Sequence, residues 1–156
     1  MSCNFLQGML FFINIGGILI FNNVVANQMT MNLDYLLFNS RDELLRVKVQ
    51  NIVYFESEGN YTSMVTINKL RPTVCMNLAH VEQLLAGRIG DKRVVFVRVG
   101  KRHIVNVNYL YSIVPAKQRL VLSDQSTFAY QLEISKEALA KMKQLVVKLN
   151  NNNKQI

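Results

Sequence analysis

The sequence predicts a mostly-β fold of sandwich or barrel type, with one short internal helix and one C-terminal helix. Three observations carry that prediction. Short runs rich in Val, Ile, Tyr and Phe recur between Leu44 and Leu132, separated by polar turns. Only two later stretches repeat apolar residues at spacings of three and four, the helical period. Half of the 156 residues are hydrophobic, enough to fill the core of one domain, and seven Gly and two Pro exclude fibrous or Pro-rich chains.

Residues 1–33 stand apart. Phe5 to Ala26 is nearly all apolar and long enough to span a bilayer as a helix, yet no Lys or Arg precedes it and Asn14, Gly16 and Gly17 interrupt it. Three readings stay open. Residues 1–28 are absent from the native protein because translation starts at Met29 or Met31; or the segment anchors the protein in a membrane with the domain in the cytoplasm; or it packs on the core.

The domain is expected over 34–150, followed by a polar, frayed tail at 151–156. Tyr35 to Phe38 is a short apolar run, and Ser40 to Glu43 turns into an alternating strand over Leu44 to Val49. Ile52 to Ser57 has strand composition, and Gly59-Asn60 makes a tight connection into Tyr61 to Ile67. The period of two puts Tyr61, Ser63, Val65 and Ile67 on one face. Pro72 demotes Leu70 to Met76 to an edge strand, because it removes a ladder donor.

Asn77 caps a short helix to Leu85, with Gly87 as its stop and Leu78, Val81, Leu84 and Leu85 on one face. Strands are expected at Val94 to Val99, Ile104 to Val107, Tyr109 to Val114, Arg119 to Leu122 and Thr127 to Leu132. Ser135 caps the final helix, whose stripe is Leu139, Met142, Val146 and Leu149.

Charge is uneven. The net charge is +8, and the first charged residue is Asp34. Arg88 to Arg119 holds eight basic residues against one acid, Asp91. Such an excess points to a polyanion, nucleic acid before an anionic membrane; a solvated basic face is the alternative.

Catalytic motifs are missing: there is no nucleophile elbow, P-loop or zinc-binding helix. Two Cys and two His make a structural zinc site improbable, and no metal or cofactor is expected. Glu56 and Glu58 alternate along a strand like a paired-carboxylate site. An ion pair of one with Arg98 or Lys48, with the other in solvent, explains them better. His80 reads as a surface residue and Cys75 as core. His103, among cations, should favour its neutral form. Lys101 and Arg102 suit phosphate, and Arg can grip guanine bidentately. The Gly59-Asn60-Tyr61-Thr62 corner is a second polar loop, and Asn can read adenine.

Three blocks then resemble one family. Ile52-Val53-Tyr54-Phe55-Glu56-Ser57-Glu58-Gly59-Asn60-Tyr61, Asn77 to Leu85, and Phe96-Val97-Arg98-Val99 with Ile104-Val105-Asn106 resemble the LytTR family of DNA-binding domains in order and separation. The resemblance covers about Leu44 to Lys141. It implies an elongated arrangement of small packed antiparallel sheets whose loops enter successive major grooves of duplex DNA. It further implies a non-enzymatic, bacterial, response-regulator-like transcription regulator in its stand-alone form, without a receiver domain. Such domains act in pairs on repeated sites, so a homodimer on DNA is expected, and a sensor or membrane partner protein is a further expectation.

By position, the contacting residues are Asn60 and Thr62 in the first corner and Lys101, Arg102 and His103 in the second. Lys92 and Arg93 join them as phosphate contacts. Gly100-Lys101-Arg102 replaces the usual His-Arg-Ser trio, and His103 the usual aromatic. Leu132 replaces the Arg of a third contact point, for which Gln131 or Lys136 would substitute. Asn106 matches too but is expected to tie down backbone, and Arg98 to pair with an acid. The cytoplasm is the expected location. The rivals are a membrane-tethered regulator, an interaction module that has lost DNA binding, and a carboxylate enzyme.

Overall fold

The computed structural model describes residues 35–88 and 95–153. The expected extension over 1–33, and its anchor and start-site readings, lie outside the described residues. Among the described residues no helix is long and apolar enough to cross a membrane.

Three antiparallel sheets form, none closed into a barrel. β1 (Tyr35–Asn39) and β2 (Leu44–Lys48) make a hairpin, with Tyr35 opposite Lys48. Its turn is closed by Ser40, whose N–H donates to the Glu43 carbonyl at 2.9 Å and whose Oγ accepts from the Glu43 N–H. The largest sheet has five strands. β3 (Ile52–Glu58) lies at its centre, flanked by β4 (Tyr61–Thr66) and then β5 (Thr73–Val74) on one side. On the other side are β7 (His103–Asn106) and then β6 (Phe96–Val99). β8 (Leu110–Val114), β9 (Arg119–Ser123) and β10 (Ala129–Glu133) form the third sheet.

β5 is shorter than the apolar run predicts. Pro72 has no N–H to give, so this edge bonds with carbonyls instead: Pro72 accepts from Met64 N–H at 2.8 Å and Leu70 from Thr66 N–H at 3.1 Å. Cys75 accordingly lies just past β5, half-buried rather than in the core.

α1 spans Leu78–Arg88 and α2 spans Lys136–Asn153. Asn77 caps α1 by accepting from His80 N–H at 2.9 Å, while the His80 side chain is exposed as expected. The helix passes through the expected stop at Gly87. Ser135 Oγ accepts from Ala138 N–H at 3.4 Å and opens α2. Asn150 to Asn153, expected to fray, continue α2 by another turn, and Leu149 ends up exposed.

The five-stranded sheet is a wall between two cores. Ile52, Phe55, Met64 and Ile104 face the first, which β1, β2 and α1 complete through Leu36, Phe38, Val47, Leu78, Val81 and Leu85. Val53, Tyr54, Val65 and Val105 face the second, which β9, β10 and α2 complete through Leu120, Leu122, Leu132, Leu139 and Met142. Alternation alone would send Val53 and Tyr54 to opposite faces; the register irregularity between Ile52 and Tyr54 in β3 lets both face the second core.

Candidate nucleic-acid interface

β3 and β4 meet in a two-residue hairpin in which Glu58 pairs with Tyr61. Gly59 has φ +66°, left-handed backbone that a side chain would strain. Asn60 is exposed at the tip. Thr62 is not: it is 0% exposed, and its hydroxyl donates to the Met76 carbonyl at 2.7 Å. That corrects the expectation that Thr62 reads bases, since its side chain is spent on holding the chain that leads into α1.

The β6–β7 corner is a three-residue loop, Gly100-Lys101-Arg102, closed by the Val99–His103 pair. Gly100 has φ +64°, and a Cβ there would lie 3.7 Å from the Ala138 Cβ, so α2 packs directly on this loop. The loop backbone is held from two sides. Ser57 N–H donates to the Arg102 carbonyl at 2.8 Å. Arg98 donates to the Lys101 carbonyl at 3.2 Å while pairing with Glu82 of α1 at 3.0 Å. The Lys101 and Arg102 side chains remain exposed on a fixed base.

β3 joins the two corners. Ser57 contacts the second corner and stands two positions before Gly59 of the first, so both loops leave the sheet at the same end. Asn60, Lys101 and Arg102 are thereby brought to one edge.

A charged cluster lies beneath them. Arg71, on the edge segment before β5, reaches Glu56 Oε2 at 2.6 Å and Glu58 Oε1 at 2.9 Å. Ser63 Oγ also donates to Glu58 Oε1, at 2.9 Å. The Arg71 and Ser63 hydrogen bonds hold the Glu58 carboxyl below the usual carboxylate range. Glu56 Oε1 faces Arg102 Nη2 at 3.5 Å and His103 Nε2 at 3.4 Å. The expected pairing of one Glu with Arg98 or Lys48 gives way to a shared guanidinium: Arg71 takes both acids and Arg98 takes Glu82. Sequence reasoning missed Arg71. Its partners lie 15 and 13 residues away, beyond the reach of any local pattern.

His103 is 7% exposed and stands over Tyr54, ring centroids 6.4 Å apart. Burial pushes its imidazole pKa down; Arg102 adds to the effect and Glu56 opposes it. The neutral form is thus favoured as expected, but chiefly by burial, and a buried ring is withdrawn from direct DNA contact. Asn106, 1% exposed, donates to the Ile52 carbonyl at 2.9 Å and accepts from Asn108 N–H at 3.1 Å, the backbone tie expected of it.

Lys92 and Arg93 lie outside the described residues. Gln131 is exposed on β10 and Lys136 in the first turn of α2. Leu132 is buried in the second core. Between the β6–β7 hairpin and α2 runs a groove of about 660 Å³ with Ile134, Ala138 and Met142 among its apolar lining and Lys101, Arg102 and Lys141 among its charged lining. Neither Glu56 nor Glu58 lines it; Arg71 holds both carboxylates instead.

The profile of the LytTr DNA-binding domain family matches residues 42–147. Among solved structures the chain is similar to the LytTr DNA-binding domain of a putative methyl-accepting/DNA response regulator from Bacillus cereus. The two share 22% identity and a TM-score of 0.52 over 72% of this chain and 96% of that one. No curated protein matches the chain.

Proposed function

The chain belongs to the LytTr DNA-binding domain family, and from that premise we propose that it is a cytoplasmic transcription regulator which recognises particular duplex sequences without catalysis. The β3–β4 and β6–β7 corners enter the major groove. Arg102 and Asn60 read base edges, and Lys101 contacts phosphate, joined by Lys92 and Arg93. Gln131 and Lys136 supply the outlying contacts where Leu132 leaves none. Two copies act on repeated sites.

One observation carries the reading. The Ser57 N–H to Arg102 carbonyl bond, 2.8 Å long, holds the cationic corner beside the amide corner, and the Lys101 and Arg102 side chains are exposed. A pinned backbone and exposed donors are what groove readout requires.

Selection of bound sequences from a random duplex library at defined salt tests it. A repeated motif should emerge. If about six phosphates are engaged, the log–log salt slope should be roughly −5. Equal recovery of all sequences would defeat the reading.

A further inference from the structure

We propose that Glu56 is a positioning and specificity-determining residue for DNA: its carboxylate holds the Arg102 guanidinium in place and penalises contacts that leave that guanidinium without its correct acceptor. The inference rests on the reading of Arg102 as a base contact and adds to it the group that aims Arg102.

The geometry is asymmetric. The Glu56 side chain is 20% exposed and that of Arg102 65%, so the acid is rooted and the base reaches into solvent. Glu56 and His103 are directly opposed residues of β3 and β7, so Glu56 projects on the same face as the residue following Arg102. Arg71 takes Oε2 at 2.6 Å and leaves Oε1 between His103 Nε2, at 3.4 Å, and Arg102 Nη2. The remaining gap of 3.5 Å is too long for a good hydrogen bond. The attraction therefore orients the guanidinium without saturating it, and its donors stay available for a base edge.

A fixed anion at a polyanion-binding edge has a second effect. Phosphate approaching Arg102 meets the Glu56 charge as well, so indiscriminate contact is weakened. A base edge offering two acceptors satisfies the guanidinium without adding negative charge. The carboxylate thus favours the correct site through what it makes unfavourable elsewhere. Arg71, by pairing with both Glu56 and Glu58, keeps the rest of the acidic cluster from repelling the duplex.

The test compares the full chain with Glu56→Gln, Arg102→Ala and the double variant on a selected target and on a scrambled duplex. Glu56→Gln should bind scrambled DNA several-fold more tightly and the target more weakly. The specificity ratio should fall about tenfold, the scale of one lost base contact. Arg102→Ala should remove the same discrimination, and the double variant should lose little more than either single one. An unchanged ratio in Glu56→Gln, or losses that multiply, would overturn the proposal.

A readout without DNA separates it from the reading beneath it. The Arg102 Nε–H resonance should show restricted side-chain motion in the wild type and free motion in Glu56→Gln. Equal mobility would overturn positioning even where the wild type discriminates between sequences. A wild type that ignores every sequence would instead defeat the base-contact reading, and this inference with it. If Glu56→Gln does not fold, Glu56→Asp, which keeps the charge but withdraws it by one methylene, carries the positioning test: Arg102 should gain mobility and the specificity ratio should fall, and equal mobility or an unchanged ratio would overturn the proposal.

Discussion

The two corners leave one sheet at one end, yet they use their polar residues in opposite ways. In the β3–β4 hairpin Asn60 and Tyr61 stay at the surface, but Thr62, the next residue, turns inward onto the Met76 carbonyl. In the β6–β7 loop, Lys101 and Arg102 both stay out and His103 is the first residue to turn in. The difference follows from loop length and from what lies behind each strand. A two-residue turn hands the chain back to the ladder at once, and the strand it returns to is covered on both faces. The three-residue loop leaves room for two long side chains before pairing resumes. Hydrogen-bonding residue types at a corner are therefore no guide to its chemistry until the strand register is known.

The largest effect should separate the corners by function. Replacing Lys101 and Arg102 together by Ala should lower affinity for a selected target on the order of 100-fold, with the fold intact by thermal unfolding. Asn60→Ala should cost tenfold or less. Equal losses, measured by titration at fixed salt, would erase the distinction. Next in size is a stability effect. Thr62→Val takes from the part-buried Met76 carbonyl the hydroxyl that pairs with it and should cost about 1–3 kcal/mol in urea unfolding. Base preference should not change; a changed preference without lost stability would return Thr62 to the reading surface.

The smallest effect concerns pH. Burial, with help from Arg102, holds the His103 pKa below its ordinary 6.5. The folded chain then binds this proton less readily than the unfolded chain. The contribution to stability is complete above about pH 6.5 and is lost as pH falls from there through the lower folded pKa. His103→Phe should flatten that part of the stability curve. An identical loss in both proteins between about pH 7 and about pH 5 would show that the ring plays no part in it.

Much of the fold was legible because local signals agreed. Asn77 and Ser135 cap the helices they should, and Leu78, Val81 and Leu85 face a core together. The site was less legible, and β4 shows why. A period of two assigns Ser63 and Val65 to one face, yet Thr62 and Met64 on the other are equally buried, because β4 has strands on both sides and a core on each face. Alternation cannot separate inside from outside when neither face meets water. Arg71 was invisible for a different reason. Its acids come within reach only after β5 docks beside β4, a long-range event with no mark in local sequence. The Asn run at the end of α2 misled in the opposite direction. Its residues are weak helix formers, but they extend a helix already nucleated by its packed first turns.

The shared wall carries a last consequence. Because β3 sends Ile52 and Phe55 to one core and Val53 and Tyr54 to the other, neither half can open without stripping apolar surface from its neighbour. Among the described residues the two cores share this wall, so the two halves are expected to unfold together, in one transition that takes the platform of both loops with it.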